Sequence, residues 1–527
     1  MTDSTPPPAT GTADPAPPPS ETPVERDADQ FLGRSRLGDR SVHDHMVRGS
    51  IWAIGWRWAA RAIGLVSTII LARLLTPADF GLVAMAMVIV GFIEIFGYTG
   101  MALALIRITH PTRAHYDTAW TLQVITGTVL AGVMILSAPF AAIYFKDPRV
   151  APLIYFLSLR AFFEGFENIG VVAFRANLDF SKDFRFGIYK KILTFVVCIT
   201  LAVLMRNYWA LAIAIVFSRF ASTCLSYLMH PFRPRFSLVK TRDIFSFSMW
   251  TLATQIGEYL SAKIDEFVVG GLSGTIAMGD YAVASDVAAA PTIELVVPMT
   301  RGLFPVYSQF ADDRERLRDA YLGVLSIAAI LCFSAATGVA VVSHDLVVVV
   351  LGAKWLSASP LIVWLALGSA AMALADGVFA IFSVTGNPAV ASRAVALRLL
   401  ALIPGVTLAG RYWGSNGVAA ARAIIYIAML PSLFLLLKIV LPITGRDILA
   451  RLWRPFVGAV LMAGAVHTFL FFAPALPALR LAIAVPLGAA VFAFVDLALW
   501  QLSGRPTGAE ETAATYLAGL RRRASRR

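Results

Sequence analysis

Six basic side chains stand where a bilayer would tolerate them least. Arg57, Arg61, Arg160, Arg219, Lys263 and Arg422 fall inside runs of residues otherwise apolar enough to cross a membrane. On the insertion scale each costs about 2.5 to 3.5 kcal/mol unless it is paired or hydrated. Arg57 and Arg61 are four residues apart and share one helix face, with Arg61 near mid-membrane. Arg160, Glu164 and Glu167 follow i, i+4, i+7 spacing, a polar stripe that must face a cavity or another helix rather than lipid. Ser222 and Ser226 extend the polar face of Arg219, and Gln255, Glu258 and Asp265 lie at related spacing in the next run. In a low-dielectric slab, arginine is a multidentate partner for oxyanions that water no longer solvates. The competing reading is that these cations pair with Glu94, Glu164 and Glu167 and hold helices together.

The acidic groups inside apolar runs raise a second chemistry. Glu94, Glu258, Asp265, Asp286, Glu294 and Asp376 are placed to take up a proton or a sodium ion, although structural ion pairs occupy such positions as well.

The elements that position these groups follow from composition. Of 527 residues, 58% are hydrophobic and 15% charged, with a mean hydropathy of +0.71. A soluble chain carries about 25% charged residues, so a soluble enzyme is excluded and an all-α polytopic membrane protein is expected. Apolar windows predict fourteen spans, near 51–72, 82–106, 119–143, 150–173, 186–205, 208–229 and 244–268, then 283–304, 321–342, 359–384, 394–413, 416–440, 455–473 and 480–502. The run 346–351 is too short to cross and is expected at the outer surface.

With an even span count the termini share a side. The basic residues alternate along the chain: of the 45, Arg73, Lys146, Arg149, Arg206, Lys354, Arg411 and Arg480 fall on one side, six lie within spans, and the rest fall on the side of the termini. The positive-inside rule therefore predicts cytoplasmic termini. The formal charge of +12 reflects this orientation, and no segment is long enough to build a basic face for nucleic acid. Cys198, Cys224 and Cys332 lie in apolar runs without metal or disulfide spacing. Residues 1–23 hold eight prolines and read as part of a disordered tail without signal-peptide features, and Arg521, Arg522, Arg523, Arg526 and Arg527 form a cluster suited to anionic headgroups. Phosphate-loop and HExxH motifs are absent, so no cofactor, metal or catalytic residue is assigned. Ser50-Ile51-Trp52 before Phe80-Gly81 is echoed by Ser248-Met249-Trp250 before Gly279-Asp280-Tyr281, which suggests two parallel repeats.

At Leu71-Ala72-Arg73-Leu74-Leu75-Thr76-Pro77-Ala78-Asp79-Phe80-Gly81-Leu82 the chain resembles the polysaccharide transporter family, the oligosaccharide-lipid flippases of the multidrug/oligosaccharidyl-lipid/polysaccharide (MOP) flippase superfamily. Asp265, Gly270, Gly274 and Gly279-Asp280-Tyr281 continue the likeness, as do Phe304 to Ser308 and Gly352-Ala353-Lys354-Trp355, while Gly271 stands where the family often has a basic residue. The turn motif itself reads as structure: proline fixes φ, Asp79 can cap the next helix and Gly81 permits close backbone approach.

The resemblance implies two six-helix lobes, 45–240 and 241–442, followed by two additional spans over 443–502 and flanked by tails 1–44 and 503–527. It implies a non-enzymatic transporter of a bacterial inner membrane. The expected substrate is an undecaprenyl-diphosphate-linked oligosaccharide for lipopolysaccharide or exopolysaccharide synthesis, flipped by alternating access through a cationic cavity. Arg57, Arg61 and Arg219, with Arg160, would contact the diphosphate, and Lys263 and Arg422 would add charge from the second lobe. Polysaccharide polymerase and chain-length machinery would be partners. The alternatives are a peptidoglycan lipid-precursor flippase or a multidrug exporter on the same fold. A membrane polymerase or ligase would require a substantial outer loop that the short connections do not provide.

Overall fold

The computed structural model describes residues 66–97, 112–172, 180–244, 249–473 and 476–504, with the isolated positions 60, 63, 64, 105, 108 and 174. Among them there is helix and no strand. Arg57 and Arg61, the two tails, and the side chains of Glu294 and residues 297–305 lie outside the described residues.

A helical stretch over 66–74 leads through a tight turn into α1 (Pro77–Glu94). Thr76 caps α1: its hydroxyl accepts from the Asp79 N–H, and the Asp79 carboxylate accepts from the Thr76 N–H at 3.0 Å. This reciprocal box, with Pro77 at the first helical position, restarts the helix after only a bend. Next come α2 (Arg113–Phe145), α3 (Val150–Gly165), α4 (Phe180–Met205) and α5 (Tyr208–Met229). The chain continues as α6 (Met249–Gln309), α7 (Arg314–Leu346), α8 (Ser359–Val384), α9 (Pro388–Leu437), α10 (Gly445–Phe472) and α11 (Pro477–Leu502).

Helices α6 and α9, of 61 and 50 residues, are each far longer than a bilayer crossing needs. Each folds back on itself at one glycine. Gly274 has φ 83° and Gly414 φ 59°, backbone conformations that only glycine adopts at little cost. The reversal is visible in contacts. The Tyr281 hydroxyl reaches the Asp265 carboxylate at 2.5 Å, and a Cβ on Gly405 would meet Ile425 at 2.6 Å. Residues 16 or 20 positions apart in a straight helix would be separated by about 24 Å or more.

Ten helices are long and apolar enough to cross a membrane among the described residues. With α6 and α9 counted as hairpins, the shorter α3 and the end of the first span, the fourteen expected crossings are accounted for. The expected seventh and eighth spans, and likewise the eleventh and twelfth, are joined by single-glycine turns rather than loops. The run 346–351 is no separate surface segment: it continues α7 as a π turn, Val347–Leu351, with Val347 and Leu351 buried.

Connections expected on one side of the membrane do meet. Asp79 accepts from the Tyr208 N–H at 3.0 Å, and Asp147 from the Thr275 hydroxyl at 3.1 Å. At the other end His115 faces Asp243 at 3.4 Å and Arg318 faces Asp447 at 3.4 Å. Helices α10 and α11 pack against each other and on α7, where Arg480 pairs with Asp345 at 3.2 Å.

The most extensive helix contact joins α1 to α6. Here a Cβ on Gly81 would lie 1.8 Å from the Thr275 carbonyl oxygen, and one on Gly279 would lie 1.8 Å from that of Pro77. The two backbones touch because neither residue has a side chain. Lower on the same helix pair, Tyr259 of α6 fits over Gly91 and donates to the Val88 carbonyl at 2.7 Å. Gly271 abuts the Tyr144 ring, which would have to move aside for any side chain there.

Candidate functional site

Helices α1, α3 and α5 bring one group of charges together. Arg160 pairs with Glu94 at 3.0 Å, and Arg219 with Glu164 at 3.3 Å. Ser222 donates to Glu167 at 3.1 Å. Arg160 of α3 thus reaches α1 and Glu164 reaches α5, while Glu167, predicted on the same helical stripe, lies just past the end of α3 and also reaches α5. The end of α3 is fixed by Gln123 of α2, whose amide donates to the carbonyls of Glu164 and Glu167 at 2.8 and 3.2 Å. Close packing of Gly127 on Ala161 and Gly165 permits that reach. Gln123 was not a sequence candidate, although it is the one side-chain amide in an otherwise apolar span.

Helices α6, α8 and α9 supply the second group. Lys263 pairs with Glu266 at 2.5 Å. Asp265 is fully buried and receives Arg422 and the Tyr281 hydroxyl. Arg422 also lies over the Tyr426 ring, whose hydroxyl donates to the Ser261 carbonyl at 2.8 Å. Arg398 pairs with Glu258 at 2.8 Å and stacks over Phe379 at 5.6 Å. Asp376 is exposed on α8 within electrostatic reach of both, and Asp286 is exposed within reach of Lys263. Glu266 and Arg398 escaped the sequence reading. The first is a near neighbour of Lys263 on its own helix, and the second lies inside the predicted span 394–413 but was not singled out.

Counting the helical rise from the end where Pro77, Asp147 and Thr275 meet, Arg160, Arg219, Lys263 and Arg422 all lie about 12 to 17 Å along their helices. This is close to the middle of a hydrocarbon core about 30 Å thick. The Glu164 and Glu258 side chains are each 44% exposed and that of Lys263 40%. Charged groups at this depth face water or protein, not lipid, so their open sides mark a hydrated space between the helices. Arg160 and Arg422 differ: their side chains are only 14% and 11% exposed and are directed at Glu94 and Asp265, inside their groups rather than on the wall of that space.

Every described cation in this set has a carboxylate partner, and the carboxyl groups outnumber the cations. Among the described residues the site therefore holds more carboxyl groups than cations, and Arg57 and Arg61 lie outside them. Glu94, Glu258 and Asp265, expected as ion carriers, are the partners of Arg160, Arg398 and Arg422. Asp286 and Asp376 remain the exposed acids.

An apolar cavity of about 460 Å³ opens between α7, α10 and α11, lined by residues such as Ile330, Val342, Met462, Leu481 and Phe492.

A family profile described as polysaccharide biosynthesis protein matches residues 70–360, more than half of the chain. The chain belongs to this family. It is 26% identical over 425 residues to the lipopolysaccharide biosynthesis protein WzxC of Escherichia coli K12, covering 79% of this chain and 86% of that one. It is 24% identical over 319 residues to the succinoglycan biosynthesis transport protein ExoT of Rhizobium meliloti, covering 60% and 64%. Among solved structures, the lipid II flippase MurJ in an inward closed conformation superposes with a TM-score of 0.71 at 15% identity, covering 86% of this chain and 99% of that one. This last likeness establishes a shared fold. The motifs at Leu71–Leu82, Gly270–Tyr281 and Gly352–Trp355 all lie within the matched residues.

Proposed function

We propose that this multi-pass membrane protein flips an isoprenoid-diphosphate-linked oligosaccharide between leaflets by alternating access, as a transporter rather than an enzyme. Family membership supports the substrate class. The observation that carries the mechanism is the common depth of the partly exposed Arg219 and Lys263 side chains, with Arg160 behind them on Glu94. Arg57 and Arg61 of the first span would bring the cations close in number to the carboxylates.

A diphosphate entering this space exchanges with Glu164 and Glu266 for the guanidinium of Arg219 and the ammonium of Lys263. The exchange replaces one oxyanion by another at each cation; the freed Glu164, 44% exposed, turns to water, while Glu266, 6% exposed, carries a cost that the diphosphate must offset. The apolar cavity beside α10 and α11 has the chemistry to hold part of an isoprenoid chain while the sugars cross in water. Helices α1–α5 with the first span, and α6–α9, are the two rocking lobes in this reading. Both termini lie in the cytoplasm, and Asp376 and Asp286 are the candidates for proton or sodium coupling.

Deleting the gene tests the assignment. Lipid-linked oligosaccharide should accumulate on the inner leaflet and surface polymer should be lost. Normal surface polymer with no trapped intermediate would refute it.

A further inference from the structure

At the end of the bundle where Pro77, Asp147 and Thr275 meet, two cations cross between the N-terminal and C-terminal helices in opposite directions. Arg73, at the end of the helical stretch 66–74, donates to the carbonyl oxygens of Val349 and Val350, the latter at 3.3 Å, in the π turn that ends α7. Lys354 donates back to the carbonyl oxygens of Arg73 and Leu75 at 3.0 and 2.5 Å. These carbonyls lie where the 66–74 stretch stops, so each helix C-terminus is capped by a cation from the other set of helices. Gly352, at φ 103°, turns the chain so that Lys354 can reach back. Next to it the Trp355 indole N–H donates to the Ala72 carbonyl at 2.9 Å, with its ring edge-on to Phe80 at 5.2 Å. Two motifs that the sequence listed separately, at Leu71–Leu82 and Gly352–Trp355, are thus halves of one contact.

We propose that Arg73 and Lys354 form a reciprocal latch that keeps this mouth of the transport path shut, and that both are released together when it opens. The proposal rests on the reading of the chain as a transporter with cytoplasmic termini, which makes this the outer mouth. The bonding suits reversible opening. Both side chains are exposed, and their acceptors are neutral carbonyls, so water can replace every bond without stranding a buried charge. Asp265 and Arg422 could not be parted in that way. Below the latch, α1 and α6 meet backbone to backbone at Gly81 and Gly279.

The test uses the full-length protein with Cys198 and Cys224 changed to serine, the buried Cys332 kept as a monitor of unfolding, and Ala72→Cys as reporter. Ala72 is fully buried in the closed arrangement. Modification by a membrane-impermeant maleimide is read at each cysteine by mass spectrometry, in spheroplasts and in inverted vesicles. With Cys332 protected, Arg73→Met and Lys354→Met should each raise Ala72→Cys modification about tenfold, a shift of about 1.4 kcal/mol in the open-closed equilibrium. Trp355→Phe, which keeps the ring and removes one donor, should raise it less, and Lys354→Arg should leave it low. No rise from either side would overturn the latch. A rise confined to inverted vesicles would uphold the latch and overturn the orientation on which "outer" depends.

Discussion

Arg422 and Asp265, 157 residues apart in the chain, form an ion pair sealed inside the second group of helices, with the Tyr281 hydroxyl on the same carboxylate oxygen. Removing either partner alone leaves an uncompensated charge in a region that water does not reach. Asp265→Ala or Arg422→Met should therefore cost about 3 to 5 kcal/mol and lower the thermal unfolding temperature of the detergent-purified protein. The double variant should recover much of that loss. Equal losses in the single and double variants would show that the pair itself contributes little.

The contact of Gly81 with Gly279 yields a second prediction. Gly279→Ala places a methyl group 1.8 Å from the Pro77 carbonyl oxygen, so α1 and α6 must move apart at a cost of about 1 to 3 kcal/mol. Gly132 has open space around its would-be Cβ, and Gly132→Ala should gain about 0.5 to 1 kcal/mol from helix propensity. Thermal unfolding of the two variants side by side checks the contrast, which vanishes if the helices do not touch at Gly279.

Much of this arrangement was legible in the sequence. Apolar run lengths gave the span number, and alternating Lys/Arg placement grouped connections that do touch, such as Asp147 with Thr275. What could not be read was the joining of spans through Gly274 and Gly414, because helix-compatible residues on either side leave one glycine as the only mark. Side-chain pairing was equally hidden. Spacing on α3 suggested Arg160 with Glu164, yet Arg160 reaches Glu94 on α1, and Glu164 is taken by Arg219 on α5. Such choices depend on which helices are neighbours, and spacing within one helix carries no information about that. The motif residues Arg73 and Lys354 were read only as loop charges on one side of the membrane, because their acceptors lie more than 270 positions away.

His230 gives a pH prediction outside the spans. It is 4% exposed, and its Nδ1 accepts from the Phe232 N–H at 3.1 Å. Burial, with Lys182 and Arg233 nearby, pushes its pKa down from 6.5 to about 4. The unfolded chain therefore takes up the proton first as pH falls. The contribution of His230 is fully present above about pH 6.5 and is lost progressively down to about pH 4, amounting to about 3 kcal/mol. His230→Gln should flatten the fall in unfolding temperature over that window. An unchanged slope would mean that His230 is protonated in the folded protein.

Ion coupling is tested at the exposed acids. Asp376→Asn should abolish the dependence of transport on a proton or sodium gradient while leaving unfolding temperature within about 0.5 kcal/mol equivalent of the parent, as expected for a group without a close partner to lose. Retained gradient dependence would remove Asp376 from the coupling scheme and leave Asp286 to be examined in the same assay.

The central claim is that mid-membrane cations exchange their carboxylates for a lipid-linked diphosphate. The direct measurement is the flipping rate of undecaprenyl-diphosphate-linked oligosaccharide in proteoliposomes carrying Arg219→Gln with Lys263→Gln, with folding verified by unfolding temperature. The predicted result is a loss of at least about tenfold, corresponding to about 1.4 kcal/mol of lost phosphate interaction, together with weaker binding of the same lipid. A folded double variant that flips and binds the substrate at the parental rate and affinity would contradict the claim.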